Sequence, residues 1–334
     1  MSERSAAWSA GRWTALPPAA GAAVMATGIL SVGLHLTGLE TLSLVALGLA
    51  TALWTLLAFD FATLLLGDRR RWEATADTPP ALTAVAATTV LGVRYELLGA
   101  TPVAVALLLL SAVMWPGLLA AVLRHLGRPA PGAAFLICVA TQGIAVLGAV
   151  LAPTVGDWLA WAALVFFLLG LVLYGDALVR FDLRQVVAGA GDHWIAGGAL
   201  AISALAGSKL LASGVWSGSA ETVLRTTTFV LLALDLAWYA VLLCGEFARP
   251  RLGYDVRRWS TVFPLGMTAV AALSTSAVTG VGWLGTLGQV LLWVAVAAWL
   301  ATVYGLVRSL TGRGGGRLSS TSSGRHVARE RRGR

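Results

Sequence analysis

Charge is what this 334-residue chain has least of: Asp, Glu, Lys and Arg make up 12% of it, against 57% hydrophobic residues. A soluble domain of this length cannot solvate its surface with so few charges, so the polytopic membrane class remains. There is a single lysine, Lys209. There are two cysteines, Cys138 and Cys244, both inside apolar stretches, which excludes a disulfide scaffold and reads as two small buried hydrophobes. His-Glu-x-x-His and Gly-x-Ser-x-Gly are absent, and the Asp192-His193 pair has no nucleophile at a sensible position, so an intramembrane enzyme is a remote alternative. No acidic cluster lies in the apolar stretches that could hold a metal, and no cofactor motif is present.

What is present is ten apolar stretches, 17–36, 42–66, 81–99, 103–123, 131–152, 158–179, 193–213, 223–245, 261–280 and 284–307. Each is near the length of about 20 residues that a spanning helix needs. None alternates with period two, which excludes a transmembrane β-barrel. Leucine alternates instead: 3, 4, 3, 4 and 2 in the odd stretches, 10, 7, 7, 7 and 6 in the even ones. Lipid favours large aliphatic side chains, and close helix packing favours small ones. The expected fold is therefore all-α and integral to the membrane: ten helices as five hairpins, odd helices in an inner pore-lining ring, even helices outside. Short connectors such as 37–40, 99–102 and 152–156 make antiparallel neighbours.

With a cytoplasmic N-terminus, 21 of the 24 basic residues fall inside, and only Arg94, Lys209 and Arg225 fall outside. That asymmetry predicts a multi-pass plasma-membrane protein with both termini cytoplasmic, and no cleavable signal peptide is expected. The expected division is a cytoplasmic segment 1–14, a ten-helix domain 15–310 and a basic disordered tail 311–334. The net charge of +8 is then mostly topological. The tail suits anionic lipid headgroups and lacks the aromatic interleaving of a nucleic-acid binder.

Helix breakers recur in the odd stretches: Pro17-Pro18, Pro79-Pro80, Pro131-Gly132 and Pro264, with Gly28, Gly33, Gly143, Gly197, Gly198 and Gly266. Broken helices within a bilayer line cavities or pack in protein. Thr27, Gly28, Thr141, Gln142, Gly197, Gly198, Gly266 and Ser274 are thus candidates to line a path, with helix–helix bonding the alternative for the polar ones. Arg94 and Lys209 are candidate outer-mouth cations, the alternatives being snorkelling and an Arg94–Glu96 pair. Asp192, His193, Asp60 and Asp235 are possible proton or ion-pair sites. Asp192 also suits a helix cap. Asp235 also suits a structural hydrogen bond to an inner helix.

Three segments carry a resemblance: residues 17–28 (PPAAGAAVMATG), 191–200 (GDHWIAGGAL) and 259–267 (WSTVFPLGM). They resemble the tellurite-resistance/dicarboxylate transporter family, which includes fungal malate and sulfite permeases and the plant slow anion channels. The resemblance spans roughly residues 13–310. It implies five hairpins around a central pore, a homotrimer with one pore per subunit, and a plug on the ninth span, here Phe263 before Pro264. The implied substrates are small anions: C4-dicarboxylates, sulfite, tellurite-type oxyanions, chloride or nitrate. The alternative is a proton-coupled exporter of toxic anions or other small solutes. The inner stretches offer no Arg pair near mid-membrane to hold both carboxylates of malate.

Overall fold

The computed structural model describes residues 20–67, 69–189, 191–250 and 253–319. Pro17, Pro18, Arg4, Arg12, Arg251 and the tail beyond Ser319 lie outside the described residues. The chain folds into α1 (Gly21–Leu36), α2 (Glu40–Gly67), α3 (Arg69–Ala76), α4 (Thr83–Leu97), α5 (Thr101–His125), α6 (Leu136–Val155), α7 (Trp158–Arg180), α8 (Gln185–Ala188), α9 (Ile195–Ala212), α10 (Gly218–Ala248), α11 (Trp259–Thr279) and α12 (Gly282–Ser319). Among the described residues, eight helices are long and apolar enough to cross a membrane, and α1 is a shorter apolar helix. The third expected span is divided: Pro79 and Pro80 open a 3-10 turn, Pro79–Leu82, and the α-helix that follows has only 15 residues. The short helices α3 and α8 were not foreseen. Helix α12 continues to Ser319, past the expected boundary at Leu310.

The compositional alternation reappears as burial. In an apolar 18-residue stretch of the spans containing α6, α9 and α11, 94, 83 and 78% of the residues are buried, against 17–28% in the corresponding stretches of α2, α5, α7, α10 and α12. Helices α1 and α4 are buried almost throughout. Small residues let the five buried helices approach one another: α1 packs on α4, α4 on α6, α6 on α9, α9 on α11, and α11 on α1. The closest approaches occur at glycine. A Cβ on Gly143 would lie 2.3 Å from Thr89 Oγ1, and one on Gly198 would lie 2.8 Å from the Pro264 ring.

Each buried helix also ends alike. Gly38, Gly99, Gly156, Gly214 and Gly280 follow α1, α4, α6, α9 and α11 within two residues, with φ of 80, 81, 138, 73 and 75°. A side chain is strained there, so glycine closes the helix and turns the chain into its exposed neighbour. Four of the five begin alike as well, with 3-10 turns Pro79–Leu82, Gly132–Phe135, Asp192–Trp194 and Val256–Arg258 leading into α4, α6, α9 and α11. The repeated unit is thus a 3-10 turn, a buried helix, a positive-φ glycine and an exposed helix.

Polar hooks join exposed helices to buried ones. Trp54 of α2 donates its indole N–H to Thr88 of α4 at 2.9 Å. Trp115 of α5 donates to Thr141 of α6 at 2.9 Å, and Trp299 of α12 to Thr27 of α1 at 3.0 Å. Each threonine passes its own hydroxyl proton to the carbonyl four residues back, at Ala84, Ile137 and Ala23. In an apolar setting, neither the indole N–H nor the hydroxyl is left unmade. Of the two cysteines, Cys138 is buried, but Cys244 is exposed on the outer face of α10, which corrects its reading as a core residue.

Candidate functional site

A narrow cavity is enclosed by α1, α4, α6, α9 and α11, each of which contributes to its wall. Its wall is apolar, formed by side chains such as Ile29, Val90, Val146, Leu205, Met267 and Val270, with Thr89 and Lys209 as the polar members. Its volume is about 20 Å³, room for a water molecule or two. A dehydrated polyatomic anion does not fit in it.

Lys209 lies one turn beyond Leu205 and two beyond Ile202, the other wall residues of α9, toward the end that turns into α10. It is partly exposed. No carboxylate lines the cavity with it. Phe263 is fully buried on α11, about one turn before the wall residue Met267 toward the helix N-terminus. Pro264 follows it, and without an N–H it leaves the Ser260 carbonyl without its helical partner, a cause for a bend at this turn. The start of α11 is anchored by Asp255, which accepts the backbone N–H of Arg257 at 2.8 Å and its guanidinium at 2.9–3.1 Å. The Arg257 guanidinium holds the Asp255 carboxyl below its ordinary range.

The residues expected to line the path do not line this cavity. Thr27 and Thr141 face outward as the tryptophan acceptors described above. Gln142 donates to the Phe167 carbonyl of α7 at 3.0 Å and fills the space above Gly170. Gly197 faces α10, beside Trp238, Leu242 and Asp235. Gly28, Gly198 and Gly266 admit Val90, Pro264 and Ile29 from neighbouring helices. Ser274 is buried, one turn beyond Val270, and its hydroxyl has no partner among the described residues. Thr27, Thr141 and Gln142 share a physical reason: polar groups within apolar protein are drawn into helix–helix bonds, leaving the wall to apolar side chains, Thr89 and Lys209. Thr89 sits beside Thr88, which turns outward, and sequence alone gave no means of ranking the two.

Arg94 is not a mouth cation. It is fully buried, donates from Nε to Ser43 at 2.9 Å, and forms an ion pair with Glu40, all toward α2. Glu40 also bonds His35, and Ser43 bonds Ser31, so the group ties α1, α2 and α4 together. Glu96, the expected partner of Arg94, instead accepts from Thr154 of α6 at 3.2 Å. Asp192 accepts the Ala133 N–H at 3.3 Å, capping the turn before α6, and His193 is buried against Gly132 and Gly189. Asp60 lines a separate groove of about 230 Å³ between α1, α2, α4 and α5, with Trp54, Phe61, Leu110 and Met114. Asp235 is fully buried on α10 and accepts from Thr268 of α11 at 3.2 Å. Among the described residues, no group of His, Cys, Asp and Glu is arranged to hold a metal.

The family of voltage-dependent anion channels matches this chain over residues 15–307. Membrane proteins from two strains of Mycobacterium tuberculosis, each named as uncharacterized, are 29% identical to it over 130 residues, covering 35% of this chain. The chain spans about 64% of the length of these curated relatives. The family match takes in all ten apolar stretches and all three resembling segments: this membrane protein belongs to the voltage-dependent anion channel family, the group of the tellurite-resistance/dicarboxylate transporters and slow anion channels.

Proposed function

We propose that the chain moves small anions across the plasma membrane along the axis of α1, α4, α6, α9 and α11, with Phe263 as the plug. The carrying observation is the cavity itself, walled by all five buried helices, with one lysine and no carboxylate on its wall. Low polarity disfavours a metal cation, and the ammonium of Lys209 favours an anion at the mouth. The circuit of helix contacts and the burial contrast support five hairpins with an inner and an outer ring. In this reading Phe263 continues the apolar wall and closes it, and the turn at Pro264 gives α11 a place to bend.

Both termini face the cytoplasm in this proposal, the functional unit is a homotrimer with one path per subunit, and no enzymatic step is involved. Chloride, nitrate, sulfite, tellurite-type oxyanions and malate are the candidate cargoes. The test is flux of chloride, nitrate, sulfite and malate in liposomes containing the purified protein, with and without a pH gradient. Passive, anion-selective flux is expected. Cation flux of equal size would overturn the proposal. The second reading, a proton-coupled exporter, requires flux that collapses with a proton ionophore.

A further inference from the structure

We infer that Asp235 is a proton-binding site that controls the hinge of α11. The repeated hooks between exposed and buried helices carry the argument. In three of them, Thr27, Thr88 and Thr141 give their hydroxyl proton to the carbonyl four residues back and accept an indole N–H from a tryptophan of the outer helix. The fourth has the same threonine: Thr268 lies 3.1 Å from the Pro264 carbonyl, four residues back. Its outer-helix partner is Asp235 at 3.2 Å, in the place of a tryptophan donor.

A hydroxyl has one proton, and here it faces two acceptors. An ionised Asp235 can only accept, so it takes the Thr268 proton from the Pro264 carbonyl. A protonated Asp235 donates to Thr268 Oγ1, Thr268 donates to the Pro264 carbonyl, and the hook becomes equivalent to the other three. Such chained hydrogen bonds strengthen one another. The second carboxyl oxygen, Oδ2, is buried without a partner, and no Lys, Arg or His pairs with Asp235 among the described residues. A buried carboxylate with one neutral hydrogen bond is a costly anion and a well-accommodated acid.

The surroundings narrow the titrating group to this residue. Helices α8, α9 and α11 pack on α10. Of these, α8 and α11 carry no titratable side chain, and α9 carries only Lys209, twelve residues from the Gly197 that faces Asp235. On α10 itself the near neighbour is Tyr239, and across from it are Tyr174 of α7 and, beyond that, Cys138 of α6. Tyrosine and thiol stay neutral near neutral pH. His193, in the 3-10 turn before α9, is the nearby side chain of a type that ordinarily changes charge near neutral pH.

Asp235 is a positioning residue in this account, since it acts on the path through Thr268 and the Pro264 turn. The protonated chain locks the closed form described here; losing the proton takes the Thr268 hydroxyl off the Pro264 carbonyl and loosens the hinge beside Phe263. The functional readout rests on the proposed anion path, so the experiment has two arms. In the first, infrared difference spectra of the full-length protein in liposomes are recorded as pH is varied. A protonated-carboxyl band that titrates in the wild type, shifts in Thr268→Val and is missing in Asp235→Asn is expected. The absence of any band assignable to Asp235 overturns the inference.

The second arm measures chloride flux against pH. Wild-type flux should rise with pH. Asp235→Asn, whose amide can still donate to Thr268, should stay low and flat, and Thr268→Val should be flat, while His193→Gln keeps the pH dependence. A pH dependence that survives in Asp235→Asn overturns the proton site. If Phe263→Ala raises flux at every pH, such a result leaves the anion path standing, so the two readings fail separately.

Discussion

Replacing Lys209 with Gln tests whether the one cation on the cavity wall sets charge selectivity. An ion at the level of Val270 would lie about one side chain, roughly 5 Å, from the ammonium. At an effective dielectric constant of about 20 the attraction is roughly 3 kcal/mol. Lys209 is partly exposed, so solvent and salt reduce this to about 1–2 kcal/mol, or roughly 5- to 30-fold in anion occupancy. The assay is the reversal potential across a planar bilayer under a potassium chloride gradient, with Phe263→Ala as the conducting background. Lys209→Gln should move it toward the unselective value, most at low salt, and Lys209→Arg should restore it. An unchanged reversal potential at low salt would refute the argument that this charge reaches the permeating ion.

Two predictions concern the scaffold. Glu40→Ala leaves the fully buried Arg94 without its half-exposed counter-ion and should lower the thermal midpoint in detergent, because the buried guanidinium is then uncompensated; an unchanged midpoint would show that Arg94 finds water instead. A double-mutant cycle of Trp115→Phe and Thr141→Val should give a coupling of about 0.6–1.7 kcal/mol in denaturation, whereas additive effects would deny the hook an energetic role.

The all-helical membrane class and the contrast between buried and exposed helices were legible because lipid and protein neighbours demand different side-chain sizes. Leucine counts therefore anticipated which helices are buried, whereas the positive-φ glycines that close each buried helix, Gly38, Gly99, Gly156, Gly214 and Gly280, were not recognised as such from the sequence. Direction around a helix was not legible. On a helix buried on every side, all faces are small and apolar, so nothing in the pattern separates Thr88 from Thr89 or Gln142 from Gly143. The polar residues were the natural candidates for a path, yet Thr27, Thr141 and Gln142 turn away because an indole or a carbonyl on an exposed helix needs them. Arg94 was misread for a related reason: its partner, Glu40, lies 54 positions earlier in the chain, at the start of α2, while the nearer Glu96 belongs to a contact with α6.

The central claim is that anions cross along the axis of the buried helices and that Phe263 closes the way. Its most direct test is chloride and nitrate flux into liposomes containing wild-type protein or Phe263→Ala, with folding of both verified by gel filtration and thermal melting. Removing the ring opens space continuous with the cavity beside Met267, so the account predicts a large rise in flux for both anions with no comparable rise for potassium. Flux that stays at the wild-type level in a folded Phe263→Ala protein would contradict it.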